Sequence, residues 1–331
     1  METQISQQEL NEKITEHSQR IRAIREGLHK TIIGQEHLLD ALLIGLLTDG
    51  HILLEGVPGL AKTLAIKGLA QLVEADFSRI QFTPDLLPAD VVGTLIYSRT
   101  TEEFVAKKGP VFAHFVLADE INRAPAKVQS ALLEAMQEHQ VTIGEHTYKL
   151  PNPFLVLATQ NPIEQEGTYT LPEAQADRFM MKVVVDYPNK EEELQIIDLN
   201  MGASLPTLSP VTNVSQILAT REYLRAVNVD EKVKRYIVDL VFATRAPEKV
   251  GLTNMTSMLR YGASPRASIS LTLAARAYAF INGRSFVIPE DVRFVAHDVL
   301  RHRIGLSYEA EANELTSDHL ITQIIDNIDV R

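Results

Sequence analysis

Short apolar runs alternate with helical patterns over the first 190 residues of the chain. The helical patterns include one from Glu36 to Thr48 and one from Pro125 to Glu138. Apolar strands separated by helices are typical of a parallel sheet with helices on both faces. The pattern therefore predicts an α/β domain with five buried strands. The expected strands are His51–Leu54, Ser78–Phe82, His114–Ala118, Phe154–Ala158 and Met180–Val185.

The remaining patterns place this sheet within a two-domain chain. Residues 1–30 are polar with apolar positions at helical spacing, which predicts an N-terminal helix. Two β-prone segments predict hairpin insertions, at about 85–110 and at 141–148. After the fifth strand, helical patterns dominate, at about 189–200, 215–227, 230–246, 265–281 and 289–301. The expected domains are an α/β domain over 1–189 and an all-helical domain over 190–331.

A glycine-containing turn follows the first predicted strand and precedes a helix-like stretch that begins at Leu64. Its residues are Gly56-Val57-Pro58-Gly59-Leu60-Ala61-Lys62-Thr63. This is the layout of a phosphate-binding loop, in which backbone N–H groups and the helix dipole converge on an anion. Lys62 is then a charge on the nucleotide phosphates, and the Thr63 hydroxyl is a ligand for Mg²⁺. Ala61 stands where the motif usually has glycine, and we expect right-handed dihedrals there, which alanine tolerates.

Polar side chains follow two of the other predicted strands. Asp119 and Glu120 end one strand, and Asn161 follows the next. An ATPase needs a carboxylate that holds Mg²⁺ through its water shell, which suits Asp119. It also needs a group that orients or deprotonates the attacking water, which suits Glu120. Asn161 closes the next strand, where it can reach the same water or the γ-phosphate, although taken by itself it is more often a turn residue before Pro162.

Three arginines are candidates for contact with phosphate. Ser264-Pro265-Arg266 has the pattern of a helix N-cap and the first two helical positions. A cation there opposes the helix dipole unless a phosphate lies nearby, so we expect Arg266 to reach the nucleotide of its own subunit. Arg178 ends a short helix that Thr170 and Glu173 are expected to open as a capping box. It is either a helix-end cation or a finger inserted into a neighbouring subunit's site, and Arg123 is a further candidate.

Composition narrows the classes of function. The net charge of −11 argues against bulk electrostatic binding of nucleic acid. The chain has no cysteine, which excludes disulfides, thiol nucleophiles and thiolate zinc sites. The histidines show no metal-ligand spacing, and no serine nucleophile motif is present. The N-terminal residues are unlike a secretory signal, and no apolar run is long enough for a membrane span. We therefore expect a cytoplasmic protein.

Together these motifs resemble the MoxR family of AAA+ ATPases, from about residue 20 to the C-terminus. Ala61 is what this family usually shows at that position. The resemblance implies a P-loop AAA+ core, with β-hairpins inserted, followed by an all-helical lid. The segments that carry it are Gly56–Thr63, Thr83–Asp90, Leu117–Ala124, Gln129–Glu138, Ala158–Pro162, Leu171–Phe179 and Gly262–Arg266.

The resemblance also implies site roles, cofactors and partners. The cofactors are ATP and Mg²⁺, and the protein forms a ring, usually a hexamer. It acts as a chaperone-like remodeler, with a von Willebrand factor A-domain protein as its partner. The implied roles are Walker A for Lys62 and Thr63, Walker B for Asp119 and Glu120, sensor 1 for Asn161, sensor 2 for Arg266, the arginine finger for Arg178, and proximity to adenine for Ile33 and Gly34.

Three other functions remain open from the sequence. A chelatase-like subunit for metal insertion, or a nucleic-acid motor, would share the fold, although the acidic composition weighs against nucleic acid. A nucleotide-gated binding module would hydrolyse little ATP, which the presence of Asp119, Glu120, Asn161 and Arg178 disfavours. A small-molecule P-loop kinase would leave the helical second domain without a purpose.

Overall fold

The computed structural model of the chain describes residues 7–57, 59–162, 167–201 and 206–330. The strands are β1 Ile52–Glu55, β2 Phe77–Gln81, β3 Gly93–Ser98, β4 Glu103–Lys108, β5 Phe115–Asp119, β6 Gln140–Ile143, β7 His146–Lys149, β8 Leu155–Gln160, β9 Met181–Val184, β10 Leu259–Tyr261 and β11 Gly305–Leu306. The α-helices are α1 Gln7–His29, α2 Glu36–Thr48, α3 Lys62–Leu72, α4 Pro88–Val92, α5 Ala126–Glu138, α6 Glu173–Ala176, α7 Lys190–Met201, α8 Val214–Arg225, α9 Glu231–Ala243, α10 Pro265–Ile281, α11 Pro289–Leu300, α12 Tyr308–Ala312 and α13 Ser317–Asn327.

The chain divides into two compact units. The first comprises Ala23–Phe179 and Val183–Leu218. The second comprises the described residues of Met1–Arg22, Met180–Lys182 and Ala219–Arg331. The domain ranges 1–189 and 190–331 stay a prediction. No helix in the described part of the chain is both long and apolar enough to cross a membrane.

The five predicted apolar runs form one sheet, in the order β2-β5-β8-β1-β9. The pairs β1–β8, β2–β5 and β5–β8 are parallel, so these strands end at the same edge. The side chains of β5 from Phe115 to Ala118 are completely buried. Burial on both faces explains why these strands are apolar without alternation. The prediction of a five-stranded parallel sheet is confirmed.

Helices pack against this sheet through their apolar stripes. On α5, Val128, Leu132 and Met136 recur at helical spacing and are buried against strand residues that include Val116 and Val156. Both predicted hairpins are also present. β3 pairs antiparallel with β4, and β6 pairs antiparallel with β7. They lie between the elements that carry the sheet, as insertions into an α/β core.

The second unit is mainly helical and contains α8 to α13 apart from the first residues of α8. Its α10 begins as predicted, because the Ser264 hydroxyl accepts a hydrogen bond from the Arg266 amide at 3.2 Å and Pro265 takes the first helical position. The expectation of an all-helical region is incomplete here. β10 and β11 form a short antiparallel pair that the sequence pattern did not indicate.

The capping box expected from Thr170 and Glu173 is wrong. The helix α6 begins at Glu173, and its N-cap is Pro172, which offers no side-chain cap. Proline disfavours helical dihedrals in the residue before it, so Leu171 cannot continue a helix that starts at Thr170. Glu173 is therefore the first helical residue, and α6 ends at Ala176, two residues before Arg178.

His51 links the sheet to α5 in its neutral form. Its Nε2 lies 3.1 Å from the Met136 carbonyl oxygen, and its Nδ1 lies 3.1 Å from the Val156 amide nitrogen. A carbonyl only accepts and an amide N–H only donates, so the ring carries its proton on Nε2. Burial lowers the pKa of His51 from 6.5 to about 4. A proton added at Nδ1 would face the Val156 N–H, which would break that bond.

We therefore expect acid to reduce stability through His51. A depressed folded-state pKa means that the stability is fully present above pH 6.5 and is lost as the pH falls toward about 4. Between pH 7 and pH 5 the loss from this group is about 2 kcal/mol. Urea unfolding of the wild type and of His51→Asn at both pH values measures it, because other titrating groups are common to the two proteins. Equal pH dependence in both proteins would contradict the assignment.

Candidate functional site

A cleft of about 450 Å³ opens at the carboxyl edge of the sheet. Its walls come from the loop between β1 and α3 and from the ends of β2, β5 and β8. The cleft brings together most of the residues predicted to bind nucleotide and metal. Those that line it are Gly56, Gly59, Leu60, Ala61, Lys62, Thr63, Leu64, Asp119, Glu120 and Asn161. Val57 belongs to the same loop, and Pro58 lies outside the described residues.

Two glycines allow the loop to take its path. A Cβ on Gly56 would lie 2.7 Å from the Val185 carbonyl oxygen, a backbone atom that has no room to move. Gly59 has φ +90, a left-handed conformation that a larger residue adopts only with strain. The loop thus combines a close approach to Val185, the residue that follows β9, with a left-handed turn at Gly59 ahead of α3. A glycine-containing turn that leads from a strand into a helix N-terminus suits a phosphate.

The expected conformation of Ala61 is wrong. We expected right-handed dihedrals, but Ala61 has φ 56 and ψ 12, which is left-handed. The helix α3 begins at Lys62, so Ala61 is its N-cap and lies outside the helical turn. The chain must reverse direction at this residue to enter the helix. An alanine in this conformation costs about 1 kcal/mol, which the surrounding loop must offset.

Lys62 and Thr63 occupy the first turn of α3, as the sequence predicts. Lys62 is half-buried, and its Nζ donates to the Gly56 carbonyl oxygen at 2.6 Å. Burial lowers the pKa of Lys62, and the nearby carboxylates of Asp119 and Glu120 oppose that shift. The ammonium group therefore lies within the loop, on the side of the two carboxylates. An anion in the loop would favour the charged lysine further.

Thr159 connects the two carboxylate residues at the end of β5. Its buried hydroxyl donates to Asp119 Oδ1 at 2.7 Å and accepts from the Glu120 amide at 2.9 Å. β8 pairs with β5, which is why a residue near the end of β8 can hold the end of β5. Asn161 follows on the same strand end and is largely buried in the wall of the cleft.

The Glu120 carboxylate is oriented by two side chains. Gln81 Nε2 donates to its Oε2 at 2.8 Å, and Arg123 Nε lies 3.1 Å from the same oxygen. The backbone of Glu120 has φ 56, so the chain turns sharply immediately after β5. That turn separates the Glu120 side chain from the Asp119 side chain, although the residues are adjacent. The two carboxylates therefore have different partners in the cleft, Thr159 and Arg79 for Asp119 and Gln81 and Arg123 for Glu120.

The oxygen donors of the cleft suit Mg²⁺. Thr63 supplies a hydroxyl and Asp119 a carboxylate, which are hard ligands. The described residues contain no cluster of three or more His, Cys, Asp or Glu side chains able to hold a metal. A metal here would therefore take one or two protein oxygens and complete its shell with phosphate and water, as Mg²⁺ does in nucleotide sites.

Outside the loop that holds Val57 and Pro58, four predicted site residues are not among those that line this cleft. Arg178 is half-buried after α6, and its amide donates to the Gln175 carbonyl at 3.2 Å. Ile33 and Gly34 precede α2, and a Cβ on Gly34 would lie 2.5 Å from the Glu192 carboxylate. Arg266 is exposed in the first turn of α10, in the second unit. The roles predicted for these four residues stay predictions.

Sequence reasoning missed four residues that line the cleft, namely Arg79, Gln81, Thr159 and Gln160. Arg79 and Gln81 alternate around the buried Ile80, so both lie on the same face of β2. A signal was available for these two, since polar residues at alternate positions near the end of a predicted strand indicate a side that is not packed. For Thr159 the signal was its place between an apolar strand and Asn161.

Comparisons with known proteins agree with this architecture. The family model for the ATPase family associated with various cellular activities (AAA) matches residues 51–181, and that for the AAA lid domain matches residues 252–324. The chain is 51% identical over 307 residues to Chaperone MoxR1 of Mycobacterium tuberculosis, covering 93% of this chain and 81% of that protein. It is 43% identical to the uncharacterized protein YeaC of Bacillus subtilis, covering 92% and 93% of the two chains.

Two further matches extend over nearly the whole chain. Protein MoxR of Paracoccus denitrificans is 32% identical over 338 residues, covering 96% of this chain and 97% of that protein. A crystal structure of a protein from Cytophaga hutchinsonii, described as an ATPase, superposes with a TM-score of 0.92 at 50% identity and covers 97% of each chain. The cleft and these matches agree, and the chain belongs to the MoxR family of AAA ATPases.

Proposed function

We propose that this ATPase is Mg²⁺-dependent and works as a ring, most simply a hexamer, that remodels a partner protein. One observation supports the proposed Mg²⁺-dependent hydrolysis of ATP. Lys62, Thr63, Asp119 and Glu120 converge on one cleft, which both the loop residues and the strand-end carboxylates line. This arrangement separates phosphate binding from water activation, as ATP hydrolysis requires.

The proposed roles follow from charge and position. The loop from Gly56 to Leu64, including Val57 and Pro58, binds the phosphates, and Lys62 neutralises them. Thr63 and Asp119 hold Mg²⁺, whose contribution when bound is to neutralise charge on the phosphate oxygens. Glu120 accepts a proton from the attacking water, and Asn161 orients that water or the γ-phosphate.

Three further assignments concern residues outside the cleft. We assign Arg178 as the finger that enters a neighbouring subunit's site, and Arg266 as the cation that reaches the nucleotide of its own subunit. Ile33 and Gly34 are assigned to the adenine. Arg123 is the less suitable finger, because its guanidinium lies 3.1 Å from Glu120 within its own subunit.

The partner is proposed from relatives. One relative is named a chaperone, which supports a chaperone-like role. A von Willebrand factor A-domain protein is the proposed partner, and the cytoplasm the proposed location. No observation favours a chelatase-like metal-insertion subunit or a nucleotide-gated module with little hydrolysis.

The experiment that tests this function is steady-state ATP hydrolysis measured across protein concentration. If sites are completed by a neighbour, turnover per protomer rises with concentration and saturates, together with a rise in mass seen by sedimentation. Chelation of Mg²⁺ abolishes it. Turnover that is independent of concentration, in a protein that sediments as a monomer throughout, would contradict the ring.

A further inference from the structure

Arg79 is a charged residue of the cleft that the proposed roles do not use. It lies on β2, the edge strand beside β5, and its side chain is 51% exposed. Its Nη2 and Nε both donate to Asp119 Oδ2, at 2.6 and 3.1 Å. The guanidinium therefore forms a two-point contact with one oxygen of the carboxylate that is proposed to hold Mg²⁺.

The other oxygen of Asp119 is also occupied. Oδ1 accepts from the Thr159 hydroxyl at 2.7 Å. Thr159 is buried and fixed by the Glu120 amide, whereas Arg79 ends in solvent. Oδ2 is thus the oxygen that can be vacated at the lower cost. A hydrated Mg²⁺ needs an acceptor on this carboxylate, and its charge opposes a guanidinium at the same oxygen.

We infer that Arg79 is the resident counter-ion of Asp119 and competes with the metal for Oδ2. Arg79 then sets the Mg²⁺ concentration that the site requires, as a positioning residue that acts through Asp119. The inference rests on the metal role proposed for Asp119.

Arg79 has a second contact that would remain after a metal displaced it from Asp119. Arg79 Nη2 also lies 3.0 Å from Gln81 Oε1, and Gln81 Nε2 donates to Glu120 Oε2. When the bonds to Asp119 break, the guanidinium keeps an acceptor on Gln81 and gains water. Ion pairs this exposed are weak, so the competition corresponds to about a twofold to fivefold change in the metal requirement.

The test compares Arg79→Gln, Arg79→Lys and wild type through binding of the fluorescent nucleotide mant-ADP at a series of free Mg²⁺ concentrations. The readout is the Mg²⁺ concentration at half-maximal change in affinity, which does not depend on turnover. We expect it to fall about twofold to fivefold in Arg79→Gln. In Arg79→Lys it should fall less, because lysine keeps the charge but lacks the planar fork. The matched control is Arg225→Gln, which removes the same charge from an exposed pair with Glu222 on α8 and should leave the midpoint unchanged.

Each of the other possible outcomes contradicts a stated part of the proposal. An unchanged or higher midpoint in Arg79→Gln would show that the arginine does not compete with the metal. Suppose that the midpoint falls in Arg79→Gln but stays at the wild-type value in Arg79→Lys. The effect would then come from long-range charge alone, which would contradict direct competition for Asp119 Oδ2. If mant-ADP binding by the wild type did not depend on Mg²⁺, the metal role proposed for Asp119 would itself be overturned. Thermal melting verifies that the variants are folded, and Arg79→Lys keeps the test valid should Arg79→Gln fail to fold.

Discussion

Replacing Glu120 with glutamine is expected to lower kcat for ATP hydrolysis by about 10²- to 10⁴-fold. Glutamine keeps the shape of the side chain and can still bond Gln81, which lies 2.8 Å from the Glu120 carboxylate. It has no negative charge and cannot take a proton from water. In the proposed site the loop amides, Lys62 and the metal ligands bind the nucleotide, so the affinity for mant-ADP should stay within a fewfold of wild type.

The control for this change is Glu134→Gln, which removes a carboxylate from an exposed position in the middle of α5. Its turnover should equal that of the wild type. Undiminished hydrolysis in Glu120→Gln would refute the assignment of the base. A parallel loss of mant-ADP binding would instead mean that Glu120 supports the nucleotide rather than the water.

Replacing Arg178 with alanine is expected to reduce turnover by about 10³-fold, the lower range for removal of an arginine finger. If Arg178 acts in a neighbouring subunit, the variant also lowers the activity of wild-type protein when the two are mixed. The physical reason is that each variant protomer leaves its neighbour's transition-state charge without a partner. Activity measured across the mixing ratio should therefore fall below the straight line between the two pure proteins.

Arg123→Ala separates this mechanism from its rival. Arg123 contacts Glu120 of its own subunit, at 3.1 Å, so its loss disturbs only the protomer that carries it. Mixtures of Arg123→Ala with wild type should then lie on the straight line. A straight line for Arg178→Ala and a depressed curve for Arg123→Ala would exchange the two roles. Two straight lines would leave the sites independent and contradict the shared-site proposal.

Patterns of burial made most of the fold predictable. Strands such as β5, whose side chains are buried on both faces, appear in the sequence as uninterrupted apolar runs. The helix α2 was expected at Glu36–Thr48 and lies there, with every residue from Leu38 to Leu47 buried. Shorter elements were missed. The helix α12 has five residues and the strand β11 has two, too few for any periodicity to stand out.

Local rules were least successful where tertiary structure decides the backbone. Ala61 was expected to be right-handed because the next residue is helical, yet the path of the loop requires a left-handed turn. Local rules also could not predict which side chains contact the carboxylates of Asp119 and Glu120. Arg79 meets Asp119, forty residues later in the chain, only because β2 and β5 are neighbours. The order of strands in a sheet is a property of the whole domain, and sequence spacing does not encode it.

The position of β1 in the sheet bears on when the nucleotide site can form during folding. Ile52 of β1 pairs with Leu157 of β8, and the other neighbour of β1 is β9, still later in the chain. On a ribosome, β1 therefore has no sheet partner until about 100 more residues have been made, and closing so long a loop is slow. The phosphate loop begins where β1 ends. The strand before the loop is therefore fixed in the sheet only after β8 and β9 have paired with β1. ATP is thus a ligand of the finished domain and cannot guide the early steps of its folding.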